Sequence, residues 1–92
     1  MQTTSEESII IPHIGGIETE TLLILSKISE QKEYLNYILK KYGSEKPQDI
    51  EKRIECGEIE EHPAYEDYLS ALSYEQNIKD LKKLLGGIVK RL

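Results

Sequence analysis

The chain has 92 residues, with 32% charged, 38% hydrophobic and a net charge of −5. This length allows one small domain, which buries only roughly 60–65% of its unfolded surface, and the negative charge argues against general nucleic-acid binding. A single Cys and the lack of Trp and Phe exclude an internal disulfide framework and favour a surface-rich helical protein over an enzyme with a deep core.

The N-terminal residues 1–17 are predicted to form a flexible or extended arm. Residues 1–8 are polar, three isoleucines then precede Pro12, and Gly15-Gly16 punctuates the segment. Proline disfavours helix just before it, so residues 9–11 are expected to be extended. Two interpretations stay open, an arm lying on the helices and an edge strand offered to a partner or a second copy. No signal-peptide pattern is present, which predicts a soluble, cytoplasmic protein.

Residues 18–42 are predicted to form the first long helix. Its apolar positions step by four, seven, three and four residues, a heptad-like pattern with Gln31 in the gap: Ile24, Ile28, Leu35, Ile38 and Tyr42. This spacing places them on one helix face. Gly43 is a good C-terminal breaker. The longest apolar run, residues 22–25, is too short to span a bilayer.

A short helix is predicted over residues 47–56, with Pro47 in its first turn and Gly57 at its end. Its apolar edge consists of Ile50 and Ile54, four residues apart. So short a helix is unstable alone, and it must therefore pack on the rest of the domain.

A second long helix is predicted over residues 63–85, with Pro63 at its first position and Glu66 and Asp67 in its first turn. Gly86-Gly87 then interrupts the apolar pattern. The sequence leaves open whether the tail of residues 88–92 is helical.

The predicted fold class is all-α: residues 18–92 form an antiparallel hairpin of two long helices with a short connecting helix. In the expected register Ile38 faces Tyr68 and Ile28 faces Ile78, while Gln31 faces Glu75 or Tyr74. The same register gathers five tyrosines at the end that the short helix would cap, namely Tyr34, Tyr37, Tyr42, Tyr65 and Tyr68. A polar layer of this kind commonly fixes helix register.

Several leucines remain outside the contact between the two long helices. The apolar faces of these helices are wider than a contact between two helices can bury. We expect them to form a dimer interface that completes a four-helix bundle, with a second copy or with a partner protein: Leu22, Leu25, Leu39, Leu69 and Leu84.

No catalytic, metal-binding or cofactor-binding motif is apparent. His13, Cys56 and His62 lack the spacing of a metal site or of a Cys–His pair. The protein is therefore predicted not to be an enzyme and to need no cofactor.

Charge is unevenly distributed. Residues 45–67 hold nine acids against three bases, and six of these acids form a candidate site for a basic partner: Glu55, Glu58, Glu60, Glu61, Glu66 and Asp67. Two alternatives stay open. The acids could form a solvated surface, or they could bind a divalent cation weakly, although they lack the ligand pattern of a calcium loop. The C-terminal end is basic and is a possible nucleic-acid contact, or a solvated helix face, through Lys79, Lys82, Lys83, Lys90 and Arg91.

A motif pattern spans about residues 35–75. It consists of Lys41-Tyr42-Gly43-Ser44, a short helix ending in Gly57-Glu58-Ile59, and the acidic helix start at His62-Pro63. This pattern resembles small prokaryotic helical proteins of the antitoxin type. The resemblance implies a non-enzymatic protein that binds and neutralises a basic partner. The competing hypothesis is a small nucleic-acid-associated regulator that uses the basic C-terminal end.

Overall fold

A computed structural model describes residues 15–90, which form three α-helices and, within this range, no strand. Helix α1 is Gly15–Lys41, α2 is Pro47–Glu55 and α3 is Glu61–Lys90. Helices α1 and α3 lie side by side, and α2 packs on α3. The predicted all-α class and helical hairpin are confirmed. The predicted arm lies outside the described residues, except that residues 15–17 already belong to α1.

Helix α1 ends in a glycine cap, as its sequence indicates. Gly43 adopts a positive φ of 61°, which side chains other than glycine tolerate poorly. The backbone N–H of Ser44 donates to the Leu39 carbonyl at 2.8 Å, and that of Gly43 donates to the Lys40 carbonyl at 3.1 Å. These two bonds are the Schellman pattern, which satisfies carbonyls at the helix end and reverses the chain.

Helix α2 is defined at both ends by local hydrogen bonds. Asp49 accepts the backbone N–H groups of Glu45 and Lys46 at 3.2 and 3.3 Å. At the other end Gly57 has φ 76°, and the Glu58 N–H donates to the Arg53 carbonyl at 2.8 Å. The same cap therefore ends α1 and α2.

Helix α3 extends five residues beyond its predicted end. His62 has extended backbone angles (φ −109°, ψ 132°), so regular helix begins at Pro63, as predicted. Gly86 and Gly87 stay helical and do not end α3, because Ile88 beyond them is buried with 2% of its surface exposed. Apolar burial at Ile88 outweighs the helix-breaking preference of two glycines.

Replacing Gly86 or Gly87 with alanine should stabilise the protein. A Cβ atom at either position would meet nothing within 4 Å, and alanine in a helix interior is favoured over glycine by about 1 kcal/mol. We expect each variant to raise the midpoint of urea unfolding. An unchanged or lowered midpoint would show that this stretch of α3 is not helical in solution.

The core consists of two clusters along the hairpin. The turn-end core joins all three helices through Ile38, Ile50, Ala64, Tyr68 and Ala71. The open-end core joins only α1 and α3 through Ile24, Ile28, Ile78 and Ile88. Both clusters contain the pairs expected of the antiparallel register, with Ile38 beside Tyr68 and Ile28 beside Ile78.

The predicted polar layer at Gln31 has a different partner. Asn77 Nδ2 donates to Gln31 Oε1 at 2.8 Å, instead of the expected Glu75 or Tyr74. Tyr74 instead packs on Tyr34, with ring centroids 5.3 Å apart. Neither Gln31 nor Asn77 is buried, so the pair lies at the edge of the interface.

Candidate interaction surfaces

The three helices meet at a polar junction formed by Lys41, Tyr42, Arg53 and Asp67. The Tyr42 hydroxyl donates to Asp67 Oδ2 at 2.5 Å, and Lys41 Nζ donates to the same oxygen at 2.9 Å. The Arg53 guanidinium donates to the Tyr42 backbone carbonyl. The junction therefore ties the end of α1 to the start of α3 and to α2.

The junction shifts the ionisation of its members. The hydrogen bond from Tyr42 lowers the pKa of Asp67, while burial raises the pKa of the Tyr42 hydroxyl. The hydrogen bond to Asp67 raises the pKa of Lys41. The Asp67 carboxylate is thus engaged within the protein, and its predicted role in binding a partner stays a prediction.

The stability of the protein should depend on pH through this junction. Because the Asp67 pKa is lowered in the folded state, its contribution is present above the ordinary carboxyl pKa of about 3.9 and is lost as the pH falls through the lowered value. The raised pKa values of Tyr42 and Lys41 act in the opposite sense. Their contribution is complete below about pH 10 and is lost at higher pH.

Urea midpoints measured between acid and alkaline pH should therefore show a plateau with a fall on each side. Asp67→Asn should reduce the fall of the urea midpoint at acid pH more than Glu66→Gln does, since Glu66 is exposed. Equal acid sensitivity of the wild type and Asp67→Asn would contradict this assignment.

The acidic surface consists of Glu55, Glu58, Glu60, Glu61 and Glu66, all of which are exposed. Glu58 lies 3.4 Å from Arg53, and Glu66 lies 2.9 Å from His62. The pKa of Glu66 is lowered mainly by a hydrogen bond from the backbone N–H of Glu66 itself, and next by the hydrogen bond with His62. Within residues 15–90, Glu55, Glu60 and Glu61 take part in no ion pair.

The basic residues predicted on the C-terminal end are exposed wherever the structure describes them. Lys79, Lys82, Lys83 and Lys90 all project from α3, and in the described part of the chain none of them has an acidic partner. Arg91 lies outside the described residues. The acidic surface and these lysines occupy opposite ends of α3.

The five leucines predicted at a dimer interface differ in exposure. Leu39 is half-buried against the turn-end core, while the other four are exposed by 45 to 67%. Leu69 precedes Leu84 by about four helical turns, or roughly 22 Å. Leu22 and Leu25 lie three residues apart at the open end and can share one surface.

Several exposed apolar side chains were not predicted from the sequence, among them Leu23 at 57% and Val89 at 56%. The exposure of Leu23 could have been predicted from the run of residues 22–25. Four consecutive apolar residues point in all directions around a helix, so they cannot all face the core. Only Ile24 of that run is buried. The open end therefore exposes apolar surface on more than one side of α1.

A shallow groove of about 270 Å³ runs between α1 and α3 and is lined by Lys27, Gln31, Asn77, Asp80 and Leu81. Small-molecule sites are typically larger, about 300–1,000 Å³, and enclose most of their ligand. None of the five lining residues is buried. The groove is therefore too small and too exposed to enclose a ligand of ordinary size.

Two of the three nucleophile and metal-ligand candidates lie within the described residues. Cys56 and His62 are both exposed, and His13 lies outside the described residues. In residues 15–90 no group of three or more His, Cys, Asp or Glu side chains is arranged to hold a metal ion. Over the same range, no helix combines the length and apolar character that crossing a membrane requires.

Comparison with known proteins identifies a family. No curated protein and no solved structure matches the chain. A family model, described as "Uncharacterized protein MJ0235 family", matches residues 1–91. Since the match covers nearly the whole chain, the protein belongs to the MJ0235 family.

Proposed function

We propose that this protein is a cytoplasmic, non-enzymatic interaction module that binds a basic protein partner through its acidic surface. The observation that carries the proposal is the exposure of all five glutamates of that surface. Three of them have no ion-pair partner within the described residues, so their charge is available to an incoming protein. Clustered charge of one sign attracts partners of the opposite sign and speeds their association.

The resemblance to antitoxin-type proteins supports the same proposal. The residues that carry it include the polar junction, α2 and the start of α3, the part of the molecule that presents the acidic surface. An antitoxin-like role would consist of covering and neutralising a basic protein. Residues 41–69 would then form the partner-binding end of the molecule.

Homodimer formation is the second part of the proposal. The molecule is only 16 Å across in its thinnest direction, so its helices form essentially one layer. Exposed Leu22 and Leu25 would pack against the same residues of a second copy, producing a four-helix arrangement. Light scattering should then give twice the monomer mass, and Leu22→Lys with Leu25→Lys should restore the monomer.

Affinity capture tests the acidic surface. Immobilised wild-type protein should retain a basic protein, with binding that weakens as salt is raised. A triple variant with Glu58, Glu60 and Glu61 changed to Lys should lose that binding. A matched variant reverses the exposed acids Glu18, Glu30 and Glu33 on α1 and should retain it. Equal capture of one basic protein by both variants would refute the proposal.

The exposed lysines of α3 favour a second candidate function, nucleic-acid binding. Four lysines without acidic partners in the described part of the chain could contact phosphates. A gel retardation assay at low salt should then show a shift that Lys82→Glu with Lys83→Glu abolishes. Absence of any shift at low salt would eliminate this candidate.

A further inference from the structure

Helix α3 exposes a stripe of side chains that changes character along its length. The regular helix of residues 63–90 is about 40 Å long. Members of the stripe follow one another at intervals of three, four or seven residues, which keeps them on one side of the helix. All of them are exposed: Tyr65, Leu69, Gln76, Lys79, Lys83 and Lys90. The first half of the stripe is therefore apolar and aromatic, and the second half is basic.

The charge beside the stripe also changes sign along α3. Exposed Glu61 and Glu66 lie next to the apolar half, and Glu61 takes part in no ion pair within residues 15–90. The lysines of the basic half have no acidic partner in the described part of the chain either. Because the two ends of one straight helix cannot meet, each end can be neutralised only by another molecule.

We propose that two copies of the protein associate through this stripe, with their α3 helices antiparallel. Gln76 lies at the middle of the helix, so a two-fold axis passes close to it and the acidic end of each copy meets the basic end of the other. The symmetry provides this contact twice. A parallel pair would instead place acids beside acids and lysines beside lysines.

The side chains at the two ends are complementary in chemistry as well as in charge. A lysine packs its aliphatic stem on apolar surface while its ammonium group stays in water. The lysines of one copy therefore cover Tyr65 and Leu69, which are 40 and 46% exposed, and their ammonium groups reach the glutamates. An ammonium group over the Tyr65 ring is itself attractive. The whole stripe does not suit nucleic acid, because the glutamates repel phosphates.

This contact is separate from the proposed dimer contact, which lies on α1. It covers Glu61 and Glu66, so self-association and a basic partner would compete for the acidic surface. Only that competition rests on the proposed function. The contact between two α3 helices does not.

A charge-swap experiment on the full-length chain tests the contact. The background for all variants is Leu22→Ser with Leu25→Ser, which removes the proposed α1 contact without adding charge. The acid-reversed variant changes three acids to Lys: Glu60, Glu61 and Glu66. The lysine-reversed variant changes three bases to Glu: Lys79, Lys83 and Lys90.

Each reversed variant carries one sign of charge at both ends of α3 and should stay monomeric in light scattering. An equimolar mixture of the two should form a dimer, because opposite charges then meet at both ends. The background chain itself should dimerise at about 50 mM NaCl, and its dissociation constant should rise roughly tenfold at 500 mM because salt screens the charges. Circular dichroism verifies that every variant keeps its helix content.

Disulfide trapping tests the antiparallel orientation. In a Cys56→Ser background, Gln76→Cys places one thiol of each copy near the two-fold axis. Asn77→Cys is the matched control, since Asn77 is also exposed but lines the groove on another side of α3. Holding two thiols together raises their effective concentration, so the Gln76 variant should form linked dimers roughly tenfold faster on a non-reducing gel.

Three results would overturn the proposal. One is a background chain that is monomeric at 50 mM NaCl, and another is a mixture of reversed variants that stays monomeric. The third is equal cross-linking through positions 76 and 77. None of these measurements involves a basic partner, so the proposed function of the acidic surface stands or falls separately.

Discussion

Replacing Ile50 with alanine should destabilise the protein by about 2–5 kcal/mol, the cost of removing a buried isoleucine from a packed core. Ile50 is fully buried, with 0% of its surface exposed, and it is the main apolar anchor of the nine-residue helix α2. Without the Ile50 side chain, α2 loses most of its buried apolar contact with α3. Urea unfolding followed by circular dichroism measures the loss.

Leu69→Ala is the matched control, because Leu69 is 46% exposed and substitutions at such surface positions usually change stability by less than about 0.5 kcal/mol. Faster proteolysis within residues 45–60 should accompany Ile50→Ala. A loss no larger than that of Leu69→Ala would mean that α2 does not pack on the hairpin in solution.

Replacing Asp67 with alanine should cost about 1–3 kcal/mol, since it leaves the half-buried Tyr42 hydroxyl without its acceptor. Lys41 loses its ion-pair partner at the same time, but that exposed contact should contribute little. The expected loss at neutral pH follows mainly from the bond between Tyr42 and Asp67. The measurement is again the free energy of unfolding in urea.

A double-mutant cycle separates this bond from other effects. Tyr42→Phe removes the hydroxyl and keeps the ring, and the double variant should lose less than the sum of the single losses. Additive losses would show that the two side chains do not interact in solution.

The sequence predicted the hairpin and most of its core. The heptad-like spacing of Ile24, Ile28 and Ile38 is a direct consequence of helix geometry, and Gly43 and Gly57 define caps that depend only on neighbouring residues. Such features are local. They can therefore be inferred without knowing what lies across the interface.

The errors involve contacts between elements distant in sequence. Gln31 bonds to Asn77 while Tyr74 packs on Tyr34, and spacing alone does not reveal which neighbouring side chains meet across the interface. The contact between Asp67 and Tyr42, 25 residues away, was not predicted, while the role of Asp67 in binding a partner stays a prediction. The helix passes through Gly86-Gly87 because of burial at Ile88, which depends on the opposite helix.

The candidate surfaces were predicted unevenly. Charge clusters can be seen directly in the sequence, and the glutamates and the described lysines are exposed, while their binding roles stay predictions. Which leucines share a face depends on their angles around two packed helices. In the structure Leu39 packs against the turn-end core while Leu69 and Leu84 are exposed, and the dimer interface itself stays a prediction.

The division of the core into two clusters has a kinetic consequence. Three helices contribute to the turn-end core and only two to the open-end core, so separating the helix ends disrupts fewer contacts than opening the turn. Backbone amides around Ile38 and Tyr68 should exchange with solvent deuterium only through global unfolding. Amides near the start of α1 and the end of α3 should exchange through local fraying, at rates that rise steadily towards the open end. The free ends of α1 and α3 are therefore expected to separate before the turn end of the hairpin unfolds.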